Sequence, residues 1–133
     1  MEIKYPVSAV EPGRVYSFPV AAGAVIQKGR LVGRSSTGFA LPALDGPGYT
    51  FLGVARHSVD NSEGENGDKW ITLYLRGLFE FDAISLAQTL VGYSMFAEND
   101  YTMAHSSITT YDVRIGRLIK FISETRGVVD IGL

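Results

Sequence analysis

The chain has 133 residues, of which 46% are hydrophobic and 20% charged, with a formal net charge of -2 and no cysteine. This length predicts one domain, and the composition is globular rather than disordered. The acidic balance argues against nucleic-acid binding through a basic face, and the lack of cysteine excludes disulfides and thiolate metal sites. No apolar run approaches the roughly 20 residues of a membrane helix, and the N-terminus does not resemble a signal peptide, so we expect a cytosolic site of synthesis and no membrane partner.

Residues 1–23 contain three of the five prolines, and the segment 15–20 has the composition of an extended edge strand. Proline is tolerated at sheet edges and in extended arms because no ladder donor is needed there. We therefore predict an extended N-terminal arm or edge segment over residues 1–23. It either drapes over this or a neighbouring subunit or forms an ordinary first edge strand.

Short apolar runs separated by turns follow from residue 24 to residue 41, and a loop rich in proline and glycine occupies 42–48. The strongest pattern lies at 51–77, where two apolar runs flank a polar, glycine-bearing segment. In the second run the aliphatic and aromatic side chains alternate, so they fall on opposite faces of a strand. Because a strand that is apolar on both faces needs cover on both, this stretch predicts a closed or sandwiched β structure, or one face kept for a partner.

The second half of the chain repeats the order of elements in the first. Gly29 and Gly53 are followed 63 residues later by Gly92 and Gly116. Between the halves, residues 84–90 could hold one short helical turn or a loop. We predict an all-β fold, a β-sandwich or a jelly-roll-like barrel, with a single domain over 24–133 made of two similar halves at about 24–81 and 88–133.

No motif for catalysis or metal binding is complete. Ser94 begins a pattern like a nucleophile elbow, but Phe96 stands where the second glycine belongs, so we interpret Ser94 as a strand residue. His57 and His105 lack a third ligand at a characteristic spacing, which favours solvent-facing positions beside turns. We predict a protein that is not an enzyme and uses no cofactor. The alternative is a small enzyme in which a histidine meets Asp60 or Glu63 in a cleft.

The segment 60–68 is rich in oxygen ligands, but the calcium-binding pattern of an EF-hand loop needs glycine at its sixth position and glutamate at its twelfth. Glu65 and Ile71 stand there instead. A loop with Asp, Asn and Gly is also what a solvated strand connection uses, and we favour that interpretation, with a bound cation as the minor alternative. The basic turn at 27–30 lacks the spacing of a phosphate-binding loop.

Aromatic side chains beside arginine are typical of interface hot spots, and residues 78–81 add two phenylalanines close to Arg76. The alternative is that these phenylalanines continue a strand and fill the core. Trp70 and Tyr74 could instead form a platform that stacks on sugars, which would make the chain a carbohydrate-binding β module. Exposure or burial of these aromatic residues distinguishes the alternatives.

Four segments, at 27–32, 39–42, 52–55 and 70–81, follow one another in an order that resembles the capsid cement, or decoration, proteins of tailed bacteriophages. The resemblance rests on a lysine-glycine turn before an apolar pair, a Gly-Val-Ala strand, and a strand that ends in Arg-Gly before another apolar strand. A weaker second copy follows at 93–97 and 114–133. The family resemblance implies a structural protein that binds the outside of an expanded phage head and staples neighbouring major capsid subunits.

On this interpretation the partners are the phage major capsid protein and further copies of the chain, as a homodimer or homotrimer, with no nucleic acid. The protein would be made in the host cytoplasm and reside on the capsid exterior. We predict that the contacts lie on the N-terminal arm and on the segment that follows the strongest strand. The candidate interface residues are Tyr5, Pro6, Tyr16, Phe18, Arg76, Phe79 and Phe81.

Overall fold

The computed structural model of the protein describes residues 14–131, so the predictions for Tyr5 and Pro6 lie outside the described residues. This part of the chain forms strands joined by turns and one 3-10 turn. The strands are β1 (Val15–Pro19), β2 (Val25–Ile26), β3 (Leu31–Arg34), β4 (Ala40–Pro42), β5 (Thr50–Ala55), β6 (Val59–Asp60), β7 (Trp70–Tyr74), β8 (Gly77–Ala83), β9 (Ser94–Ala97), β10 (Thr102–Ala104), β11 (Arg114–Ser123) and β12 (Arg126–Ile131). The 3-10 turn, Gln88–Leu90, lies within the segment where one helical turn was predicted.

The first half is a five-stranded antiparallel sheet with the order β1-β7-β5-β3-β4. Its two outer strands approach each other through one parallel bridge between Val20 and Ala40, and the Ala21 N–H donates to the Ala40 carbonyl at 2.8 Å. The sheet therefore curls into a barrel that is closed at a single point. A short ribbon made of β2 and β6 lies beside it.

The second half is a closed five-stranded barrel with the order β10-β8-β12-β11-β9. Here the closing contact is a short parallel ladder, in which Thr102 faces Asp82 and Met103 faces Ala83. The all-β prediction is confirmed, and each half has the barrel form of that prediction.

The two halves share one pattern of registers at an offset of 63 residues. Val32 faces Gly53 in the first half, and Met95 faces Gly116 in the second. The bridge from residue 20 to residue 40 likewise precedes the pairing of residues 83 and 103 by the same offset. Since bulges and closing contacts recur together with the strands, the two barrels are copies of one supersecondary unit.

The offset falls to 56 residues in the last strand of each half. Val54 faces Tyr74 in the first half, whereas Arg117 faces Asp130 in the second. The connection before this strand is therefore seven residues longer in the first half. The extra length lies in the polar segment at 61–69 and does not disturb the strand pairing on either side of it.

The boundary between the halves differs from the predicted one. β8 takes in the second barrel the place that β1 takes in the first, because Val15 faces Tyr74 and Leu78 faces Asp130. The described halves are thus 15–74 and 78–131 rather than about 24–81 and 88–133. The described part of the predicted arm, residues 14–23, pairs with its own barrel as an edge strand.

Pro19 explains why the first barrel closes less completely than the second. Its equivalent at the 63-residue offset is Asp82, which belongs to the parallel ladder with β10. Proline has no N–H to donate to a neighbouring strand, so a ladder cannot extend through this position. The first barrel therefore keeps only the bridge one residue further along.

The core consists of two clusters. One fills the first barrel and contains Val20, Ile26, Val32, Ala40, Ala55, Ile71 and Leu73. The other fills the second barrel and continues between the barrels, where Leu31 and Val54 from the first half join Phe79 from the second. Residues 70–74 alternate as predicted, with Ile71 and Leu73 facing inward. The two barrels therefore pack through an apolar contact that only the first barrel supplies from its outer face.

Candidate interaction surface

Tyr16 and Phe18 form an aromatic pair on β1. Tyr16 is 64% exposed, and Phe18 is half-buried against the core of the first barrel. Their rings meet edge to face with centroids 5.4 Å apart. Such a pair offers apolar area at low entropy cost, because one ring already fixes the other. Tyr16 is therefore a suitable anchor for a partner.

Arg76 lies beside this pair in the short connection between the barrels. The N–H of Leu75 donates to the Arg14 carbonyl at 2.8 Å, which holds the connection against the start of β1. Arg76 is exposed. The structure thus brings three predicted residues, Tyr16, Phe18 and Arg76, to one region, which we call the β1 surface.

The predictions for Phe79 and Phe81 as interface residues are corrected by their burial. Phe79 is 0% and Phe81 2% exposed. Their rings lie 6.3 Å apart, and the ring of Tyr74 from the first barrel lies 5.9 Å from Phe79. These phenylalanines are core residues, as in the alternative that they continue a strand, and they are not available at the surface of the chain.

Tyr16 and Phe79 occupy equivalent positions in the two barrels. Tyr16 faces Leu73 across β7, and Phe79 faces Val129 across β12. Phe79 is covered because the first barrel packs over it, whereas no described residue covers Tyr16 to the same extent. The β1 surface is therefore the end of the first barrel that corresponds to the covered end of the second.

Several exposed aromatic residues were not among the predicted contacts. Trp70 is 56% exposed on the outer face of β7, where it faces Pro19. Tyr93, Tyr101 and Tyr111 are exposed on the second half. Tyr101 also receives the Arg30 guanidinium, 4.9 Å above its ring. The alternation at 70–74 indicated the outward position of Trp70, but no local pattern indicated the tyrosines.

The polar segment at 60–69 lines a cleft of about 320 Å³. Asn61, which is 1% exposed, donates from Nδ2 to the carbonyls of Ala21 and Glu65 at 2.9 and 3.0 Å. Gly64 packs over Asn61 Oδ1, the one buried side-chain atom of the described residues that has no hydrogen-bond partner. Asn61 therefore ties this segment to the end of the first barrel.

The carboxylates of this segment serve local turns. Asp60 accepts from the Ser62 N–H at 2.9 Å, and this contact, first through the side chain of Ser62 and then through its backbone, lowers the pKa of Asp60. Asp68 accepts from the Glu65 N–H at 2.9 Å. Within residues 14–131, no three carboxylate or imidazole groups converge in a way that could hold a metal ion.

The residues weighed as catalytic groups have structural partners. His57 Nε2 accepts from the Thr72 N–H at 3.1 Å, which extends the sheet where β5 turns away. The ring of His105 lies 5.6 Å from that of Tyr93, and Ser94 Oγ accepts from Arg114 Nε at 2.8 Å. Neither histidine lines the cleft that contains Asp60 and Glu63.

A charged network occupies the outer face of the second barrel. Arg126 bonds to both Glu80 and Asp82 on the neighbouring strand. The contact with Glu80 is the main reason why the pKa of Arg126 is raised. Trp70 is the equivalent of Arg126 in the first barrel, so the same position carries a charged pair in one half and an exposed indole in the other.

Comparisons with family models, with curated proteins and with solved structures find no match for this chain. Among the described residues, no helix is long and apolar enough to cross a membrane. The residues that line the β1 surface and the cleft are therefore the basis on which a function is proposed.

Proposed function

We propose that this protein is a capsid cement protein, which binds the outside of an expanded phage head and staples neighbouring major capsid subunits. The proposal combines the resemblance of segments 27–32, 39–42, 52–55 and 70–81 to that family with one structural observation. That observation is the β1 surface, where the exposed Tyr16 stands on Phe18 beside Arg76. Aromatic residues and arginine are enriched among the residues that dominate binding energy at interfaces.

The repeated barrel suits this role because it offers a stiff body with two distinct ends. A shell presents many equivalent sites, so a modest affinity at each becomes strong retention when an oligomer spans several subunits. A protein that binds the closed shell and not the loosened one stabilises the closed shell by mass action. No cofactor is required for either effect.

The test is co-sedimentation of the purified protein with expanded, undecorated heads of the phage that encodes it. We expect saturable binding at a fixed ratio to the major capsid protein, and decorated heads that resist heat better than bare ones. Tyr16→Ser should weaken binding at least tenfold, which corresponds to about 1.4 kcal/mol per site. Far-ultraviolet circular dichroism would show that the variant keeps its fold.

Tyr111→Ser is the matched control, because Tyr111 is 52% exposed but lies on the second half, away from the β1 surface. This variant should bind as the wild type does. Equal losses for both variants would place the contact elsewhere than on the β1 surface. Absence of binding to compact and expanded heads alike would refute the cement function.

The exposed indole of Trp70 supports a second candidate, a carbohydrate-binding module. Trp70 is 56% exposed on a flat strand face, and stacking on a sugar needs such an accessible ring. A glycan array distinguishes the two functions. Binding that Trp70→Ala abolishes and Tyr16→Ser leaves intact would favour the carbohydrate-binding module.

A further inference from the structure

Asn66 is followed by Gly67 in the loop that crosses the end of the first barrel, and no other asparagine of the chain precedes a glycine. In an Asn-Gly pair the backbone nitrogen of the glycine can attack the side-chain amide carbon, because glycine has no side chain to obstruct the approach. Asn66 is exposed. We propose that Asn66 is a site of spontaneous deamidation that the folded loop holds closed.

The reaction needs only water. The Gly67 nitrogen loses its proton and forms a bond to Asn66 Cγ, and the bond from Cγ to the amide nitrogen breaks, so that ammonia leaves and a succinimide remains. Water then opens the succinimide at one of its two carbonyls. Opening at Cγ gives aspartate, and opening at the backbone carbonyl gives isoaspartate, with the main chain running through the former side chain.

Both reacting groups are engaged in the folded protein. The Gly67 N–H donates to the Val20 carbonyl at 2.9 Å. Asn66 Oδ1 accepts from the Ala22 N–H at 2.8 Å. The nucleophile and the side chain that it must attack are thus held separately by the stretch just after β1. Attack requires the loop to release both contacts together, so the reaction rate follows the opening of the loop.

Asn61 is the residue that keeps the loop closed. Its side chain donates to the carbonyl of Ala21, next to Ala22, and to that of Glu65, next to Asn66. Loss of these two bonds should raise the fraction of open loop. Opening in the wild type and in an Asn61 variant therefore gives a graded test of the same gate.

Isoaspartate would prevent the loop from closing again. It adds one methylene group to the main chain between residues 66 and 67. The Gly67 N–H then no longer reaches Val20 in register, and neither does the Lys69 carbonyl, which accepts from the Val20 N–H at 2.9 Å. A slow chemical step in the open loop would thus leave a permanent change at the end of the first barrel.

The experiment incubates the full-length protein at neutral pH, folded in buffer and unfolded in urea, and follows deamidation of Asn66 by peptide mapping with mass spectrometry and isoaspartate methylation. We expect the folded protein to react at least tenfold more slowly, which corresponds to about 1.4 kcal/mol of opening free energy. Asn61→Ala should react faster than the wild type in buffer. Asn66→Gln is the control and should show no change in either condition.

Hydrogen exchange at the Gly67 amide in the wild-type protein provides a measurement that does not depend on a variant. Because the same opening exposes the amide to exchange and to the reaction, the protection of Gly67 should match the slowing of deamidation within about threefold. Equal rates in buffer and urea, or an unprotected Gly67 amide, would overturn the proposal. So would a folded Asn61→Ala variant that deamidates no faster than the wild type.

Discussion

A methyl group at Gly116 would test the packing that both barrels share. An added Cβ at Gly116 would lie 2.2 Å from the carbonyl oxygen of Asp130 on the neighbouring strand. Carbon and oxygen atoms approach one another to roughly 3.3 Å in close strand contacts, so β11 and β12 would have to separate by about 1 Å. Overpacking of this kind costs about 1–3 kcal/mol, and a weakened ladder bond adds about 0.5–1.5 kcal/mol. We expect Gly116→Ala to destabilise the protein by about 2–4 kcal/mol.

Urea unfolding followed by circular dichroism measures this loss, and calorimetry should show a melting temperature lower by roughly 6–20 °C. Gly53→Ala should cost a similar amount, because its Cβ would lie 2.4 Å from the Tyr74 carbonyl in the equivalent place. Gly38→Ala is the matched control, since nothing lies within 4 Å of its added Cβ and its cost comes only from a φ of +89°. If Gly116→Ala costs no more than Gly38→Ala, the argument from close strand approach is refuted.

Three further predictions concern charged groups. Arg126→Ala should cost about 1–3 kcal/mol in urea unfolding, because it leaves the buried Glu80 without its partner, and Arg126→Lys should cost less; equal losses would contradict the role of the guanidinium. Since the pKa of Asp60 is lowered in the folded state, its stabilising contribution is present above the ordinary value of 3.8 and is lost as pH falls through the folded pKa; Asp60→Asn should flatten the acid limb of a stability-pH curve there, and an unchanged limb would count against it. Asp45 accepts from the backbone N–H groups of residues 110–111 at 2.8 Å, so Asp45→Ala should increase hydrogen exchange at these amides while the β7 amides stay protected.

Much of the fold could be predicted because its signals are local. Glycines at a constant offset mark places where a strand approaches a neighbouring backbone, and alternation at 70–74 shows which side of a strand faces inward. Gly53 and Gly116 are an example, since each faces a carbonyl that an added side chain would strike. Such positions tolerate no other residue, so they stay visible in the sequence of both halves.

The boundary between the halves and the burial of Phe79 could not be predicted in this way. β8 directly follows β7 in the chain, yet it pairs with β12, whose position is set by a contact far away in sequence. Tyr16 and Phe79 stand at equivalent strand positions in similar local sequences. Only the packing of one barrel on the other makes the first exposed and the second buried, and no local pattern contains that information.

The seven additional residues in the connection before β7 have a practical consequence. The first barrel accommodates them while its strands keep the same registers as those of the second. The corresponding tight turn of the second barrel, at Ser123–Arg126, therefore has a natural precedent for elongation. A short foreign peptide inserted there would be carried on a stiff support, and on a decorated shell it would be presented in many regularly spaced copies.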